Sequence, residues 1–135
     1  MKSVSKVLVT GASGFIGSNL TRNLIKTEDE VNVLVRKKSN LWRINDVLSE
    51  CNVHTVDLSD FEEVRNLISK VKPKIVYHCA TYGVYPNQKD VSQMDQTNVT
   101  GTLNLLKLLH ENSELERLVN LGSVFEYGYK SNSIK

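Results

Sequence analysis

The chain has 135 residues, 40% of them hydrophobic and 24% charged, with a formal net charge of +2. That is one domain's length with ordinary globular composition, and so small a charge argues against nucleic acid or an anionic membrane as a partner. The two cysteines, Cys51 and Cys79, read as structural thiols of a reducing compartment, and the apolar run Val7-Leu8-Val9 is far too short for a signal peptide or a membrane span. A cytoplasmic location is therefore expected, and no metal site is assigned.

Apolar strand-like runs alternate with helical patterns along the whole chain, which predicts parallel βαβ units in a doubly wound α/β sheet of the Rossmann type. Strands are predicted near 4–9, 31–35, 53–56, 74–79 and 117–121, and right-handed crossovers order them 3-2-1-4-5. Thr10-Gly11-Ala12-Ser13-Gly14-Phe15-Ile16-Gly17 follows the first strand and opens a helix with Phe15, Ile16, Leu20 and Leu24 at helical spacing. Gly11 suits a sharp turn, Gly14 a close approach of backbone to a pyrophosphate, and Gly17 close helix packing. The free N–H groups and positive dipole end of that helix favour a dinucleotide diphosphate, with Ser13, Phe15 and Ile16 beside it. No Lys follows the last glycine, so the phosphate loop of ATPases and GTPases is disfavoured.

The second strand ends Val33-Leu34-Val35-Arg36-Lys37-Lys38. Dinucleotide sites that hold a ribose 2′-hydroxyl place an acid near here, whereas Val35 cannot accept a hydrogen bond. Arg36 and Lys37 can pair with a 2′-phosphate instead. The prediction is a preference for NADP(H), with NAD(H) left open. Leu41, Ile44 and Leu48 then suit a short helix. At Val56-Asp57-Leu58-Ser59-Asp60 the Asp57 carboxylate can accept from the adenine amino group, with Leu58 against the ring. Ser59-x-x-Glu62 reads as a capping box for a helix carrying Phe61, Val64, Leu67, Ile68 and Val71. His78-Cys79-Ala80-Thr81 closes the fourth strand, where small residues allow backbone near a cofactor and His78 reads as a packed strand residue. A long helix over 91–112 is predicted to bury Val99, Leu103, Leu106 and Leu109.

Taken in order, the glycine turn, Asp57-Leu58, His78-Cys79-Ala80, Asn98-Val99-Thr100-Gly101-Thr102 and Gly122-Ser123-Val124-Phe125-Glu126-Tyr127-Gly128 resemble the extended short-chain dehydrogenase/reductases. Within these the likeness is to the NAD(P)-dependent epimerase/dehydratase group acting on nucleotide sugars. It runs over essentially the whole chain. The resemblance implies that Asn98 orders the central helix and a relay water, and that Ser123 hydrogen-bonds the substrate's reacting oxygen. It also implies a cofactor site that includes Cys79, Ala80, Thr81 and Asn98, and a substrate contact at Tyr82 within Thr81-Tyr82-Gly83-Val84-Tyr85.

One family feature is missing. The catalytic Tyr-x-x-x-Lys belongs on a helix after Ser123, but Tyr127 and Tyr129 are followed four residues on by Ser131 and Ser133. Tyr85-Pro86-Asn87-Gln88-Lys89 has the spacing but precedes Ser123, and Tyr85 stands before a proline that disfavours helix. It reads as a decoy. The chain is thus expected to be the cofactor-binding part of a longer enzyme, ending soon after the fifth strand, with the C-terminal substrate-binding region absent and no turnover of its own. The implied activity is hydride transfer at C4 of a nucleotide-linked hexose, as epimerase, dehydratase or reductase, and the implied partner is a small-molecule nucleotide sugar. A homodimer of the full-length protein is compatible with the resemblance. The alternative is a non-catalytic NADP-binding regulatory or scaffold module.

Overall fold

In the computed structural model, which describes residues 5–27 and 30–128, five parallel strands pair in one sheet. They are β1 (Lys6–Thr10), β2 (Glu30–Val35), β3 (Asn52–Thr55), β4 (Ile75–His78) and β5 (Arg117–Asn120). Their order is β3-β2-β1-β4-β5, as the crossover rule predicts. Central β1 pairs with β2 from Lys6↔Glu30 to Thr10↔Leu34, and with β4 from Val7↔Ile75 to Thr10↔His78. Alternate side chains of a strand enter opposite faces of a sheet, so the unbroken apolar runs feed two cores. Leu8, Leu34 and Val76 pack on one face with helices α2 (Phe61–Val71) and α4 (Gly101–His110). Val7, Val9, Val31, Val33 and Val35 pack on the other with Leu24, Ile44 and Val47.

The helices depart from the sequence pattern in four places, each for a local reason. In α1 (Phe15–Leu24), Phe15 and Ile16 are 68% and 55% exposed, while Gly17, Ser18, Thr21 and Leu24 form the buried face. Small residues let α1 lie close, and Ser18 and Thr21 return their hydroxyls to the carbonyls of Phe15 and Gly17. Residues 41–50 form successive turns closed by three-residue steps, Ile44 to Leu41, Val47 to Ile44 and Glu50 to Val47, rather than an α-helix. Ile44 and Val47 still reach the core from them. Asp60, not Ser59, caps α2, its carboxylate accepting from the amides of Glu62 and Glu63. Ser59 is occupied instead, since its amide and hydroxyl both donate to Asp57.

The long helix is present, but of its predicted buried face only Leu109 is buried. It begins as α3 (Val91–Met94), widens to a π-helical stretch over Asp95–Thr100, and continues as α4. Gly101 donates its amide to Gln96, five residues back, and this wide turn rotates the face that follows. Gly101, Leu105, Leu108 and Leu109 are buried, whereas Val99, Leu103 and Leu106 are exposed. A Cβ on Gly101 would lie 2.9 Å from Leu58 Cβ, so the helix crosses the end of β3 closely at this residue.

Candidate functional site

The turn after β1 is built for close approach. Gly11 has φ +65°, and a Cβ there would lie 2.6 Å from Ala80 N and from the Cys79 carbonyl carbon. A Cβ on Gly17 would fall 2.2 Å from the Gly11 oxygen, so this glycine serves the turn rather than the strand. Gly14 differs from both. Its Cβ would touch only the Gly11 oxygen, at 3.2 Å, and would otherwise stand in open space. Gly14 is also the N-cap of α1, where no side chain caps the helix and no acid lies in the first turn. The first amides of α1 are thus unclaimed by any side chain and carry the positive end of the dipole.

From this turn a groove of about 590 Å³ extends over the carboxyl ends of the strands. Ser13, Phe15 and Ile16 line it with the three glycines, as do Asp57 and Leu58 after β3 and Cys79, Ala80 and Thr81 after β4. Arg36 lines it as the sequence predicts. Lys37 does not, and its place is taken by Lys38, Ser39, Asn40 and Arg43. The Arg36 amide donates to Ser39 Oγ, closing a turn that carries Lys37 away and brings Lys38 in. Arg43 was hidden in the sequence behind the expectation of a regular helix. Arg22 of α1 grips the Asp46 carboxylate with two nitrogens, at 3.0 and 2.7 Å, and donates to the Arg43 carbonyl. That anchors the 41–50 turns beside α1. The Arg43 guanidinium stacks 4.4 Å from the Trp42 ring.

Besides Lys37, three more predicted residues lie outside the groove lining. Asn98, on the π-helical stretch, clamps the segment after β4 instead: its Oδ1 accepts from Thr81 Oγ1 and the Tyr82 amide, and its Nδ2 donates to the Tyr82 carbonyl. Tyr82 is half-buried under that clamp. Ser123 stands on an exposed turn after β5, its amide donating to Glu126 Oε1 at the start of a single helical turn over Val124–Tyr127. Ser123-x-x-Glu126 is thus a capping pattern, with the Glu126 carboxylate reaching back to the Ser123 amide. Tyr85 lines the groove from an irregular segment, not from a helix shared with Lys89. Tyr129, Ser131 and Ser133 lie outside the described residues.

Beneath the groove, His78 joins β1, β4 and α4. Thr10 Oγ1 accepts from the Ala80 amide at 3.3 Å and lies 2.6 Å from His78 Nδ1. On the other edge of the ring, Nε2 lies 2.9 Å from Thr102 Oγ1, so both ring nitrogens have a hydroxyl partner. Burial keeps the imidazole neutral, with its pKa below the ordinary histidine value. It is a structural strut, as its strand position suggests. Burial likewise pushes the Cys79 thiol up, so it is a weak nucleophile at neutral pH. Among the described residues no group of three His, Cys, Asp or Glu is placed to hold a metal ion, and no helix is long and apolar enough to cross a membrane.

A doubly wound parallel sheet, with a glycine turn and groove where the strand order reverses between β1 and β4, is the architecture of the Rossmann fold. The family model described as the NAD dependent epimerase/dehydratase family matches residues 7–134, and the chain belongs to that family. It is 30% identical over 145 aligned residues to CDP-glucose 4,6-dehydratase of Salmonella typhimurium, covering 94% of this chain and 38% of that protein. It is 34% identical over 110 residues to UDP-glucose 4-epimerase of Mycoplasma pneumoniae, covering 79% of this chain and 32% of the relative. Among solved structures, Thermus thermophilus UDP-glucose 4-epimerase in complex with NAD superposes with a TM-score of 0.72 at 32% identity, over 83% of this chain and 35% of the other. The Bordetella bronchiseptica enzyme WbmH in complex with NAD+ gives 0.82 at 25% identity, over 94% and 42%. The chain thus spans well under half the length of these relatives.

Proposed function

We propose that the chain supplies the dinucleotide site of an enzyme that transfers hydride at C4 of a nucleotide-linked hexose, with NADP(H) preferred over NAD(H). The observation that carries the dinucleotide reading is the Gly14 cradle: open space at a helix start that no side chain caps, in the lining of a groove of about 590 Å³. The residues present fit such a cofactor. First-turn amides of α1 would hold the diphosphate. Asp57, with one carboxylate oxygen committed to Ser59, keeps the other for the adenine amino group. Arg36, Lys38 and Arg43 form a cationic bank at the end of β2, the end that receives an adenosine ribose.

Three cations and no acid on that bank support the 2′-phosphate preference, since Arg pairs with phosphate in bidentate fashion. When bound, the nicotinamide carries the hydride. The chain's part is to hold it at the β4 end, where Ala80 and Thr81 keep side chains small. Ser123 follows β5, the strand that pairs with β4 at His78↔Asn120, and is assigned the hydrogen bond to the substrate's reacting oxygen. The substrate class rests on family membership and on relatives named for CDP-glucose and UDP-glucose. Arg36→Ala is expected to weaken NADPH by about 1.5–3 kcal/mol, as for a hydrogen bond to a charged group, and to leave NADH nearly unchanged. Equal losses for the two in a calorimetric titration would remove Arg36 from the 2′-phosphate site.

A further inference from the structure

The part of the groove wall that follows β4 is held by one side-chain oxygen. Gln88 Oε1 accepts from three consecutive backbone amides, Gly83 at 3.1 Å, Val84 at 3.0 Å and Tyr85 at 3.1 Å, while the Gln88 backbone N–H donates to the Tyr85 carbonyl at 2.9 Å. Gly83 makes the convergence possible with φ +102°, a conformation side chains rarely adopt. Successive N–H groups turned inward form a nest for an electron-rich atom, and here the nest is filled from within the chain. Three donors around one atom also fix the orientation of the amide. A flipped Gln88 would set its NH₂ against three N–H groups.

With the oxygen so committed, the NH₂ group is held on the far side of the amide. Gln88 is half-buried and lines the groove, and among the described residues its Nε2 has no acceptor. The side chain therefore presents two donor hydrogens whose direction has been paid for by the loop's own bonds. Val84, Tyr85 and Gln88 follow β4, whereas Asp57 and the Arg36–Arg43 bank follow β3 and β2, on the other side of β1 and its glycine turn in the sheet order. A ligand with its adenosine on that bank and its diphosphate on α1 brings its second half to Gln88.

We infer that Gln88 is a positioning and binding residue for the non-adenosine half of the dinucleotide, donating Nε2–H to an acceptor oxygen on it while Oε1 holds the Val84–Tyr85 wall. This rests on the dinucleotide reading above. It explains why an amide stands here: a carboxylate would fill the nest equally well but would turn a second acceptor, and a charge, toward the groove.

Gln88→Glu separates the two roles, because it keeps the oxygen and loses the donor. NADPH and ADP are titrated calorimetrically into the unsubstituted chain and the variant, and the thermal midpoint of each is recorded. The expected result is NADPH binding weaker by about ten-fold, with ADP affinity and the thermal midpoint unchanged. Unchanged NADPH affinity would overturn the donor role. Equal weakening of NADPH and ADP would overturn it too, since repulsion of the diphosphate by the new charge would then account for the loss. Gln88→Met, which lacks both groups, is expected to lose at least as much NADPH affinity and to expose the 83–88 loop to limited proteolysis. Full NADPH affinity in that variant would likewise overturn the inference. An unsubstituted chain that binds neither ligand would refute the dinucleotide reading itself, and this inference with it.

Discussion

Gly11, Gly14 and Gly17 sit three residues apart and solve three different problems. Gly11 answers to backbone conformation and to the Cys79–Ala80 backbone, Gly17 to the Gly11 carbonyl, and Gly14 to whatever enters the groove. Gly14→Val should therefore leave the fold intact and abolish dinucleotide binding. Micromolar binding retained by that variant would take the turn out of the site. His78 makes a different prediction, about pH. The unfolded chain protonates this residue near pH 6.5, as about expected for a free imidazole, but the buried ring with its pKa lowered takes the proton only at more acid pH. Its contribution is fully present above that range and is lost as pH falls through the unfolded and then the folded value. His54, also lowered chiefly by burial, adds to the same slope. Urea midpoints of His78→Asn should fall less steeply between pH 7.5 and 5.5 than those of the unsubstituted chain. Parallel slopes would mean that His78 does not titrate against folding.

Among the elements, strands were more legible than helices. The central strands β1, β2 and β4 are short, mostly apolar runs bounded by polar or turn residues, as coverage on both faces demands, while the edge strands β3 and β5 are more polar and more exposed. The positions of α1, α2 and the long helix ending in α4 were equally plain, but the short helix expected at 41–48 is a set of turns, and the buried faces of α1 and α4 were not legible. In α1 the groove takes Phe15 and Ile16 and the core takes small residues. In α4 a π turn shifts the register by a residue, and apolar periodicity carries no signal for that. The 41–50 turns depend on Arg22 reaching across from α1, a long-range contact that a local pattern cannot encode; Arg43 was missed for the same reason. Gly17→Ala tests the element-level account directly. Its Cβ meets backbone rather than a flexible side chain, so α1 must shift, at a cost of about 1–3 kcal/mol for overpacking. Denaturant unfolding measures the difference, and a neutral result would show that the turn has slack.

Across the whole molecule, the two cores meet at β1, and the groove lies at the one edge where helix starts and strand ends converge. Every predicted groove residue from the glycine turn, Asp57-Leu58 and Cys79-Ala80-Thr81 lines it, because each closes a strand at the same end of the sheet. Asn98, Tyr82 and Ser123 do not. Asn98 and Tyr82 bond each other, and Ser123 lies beyond the lining on an exposed turn.

The most direct test of the account is a calorimetric titration of the unsubstituted chain with NADPH and with NADH at low ionic strength. Binding of both at one site, with NADPH the tighter and its advantage shrinking as salt is raised, is the predicted result, since the discrimination comes from exposed cations on the groove bank. Equal affinity would contradict the assignment of Arg36, Lys38 and Arg43 to a 2′-phosphate, and no heat of binding from either nucleotide would contradict the dinucleotide site itself.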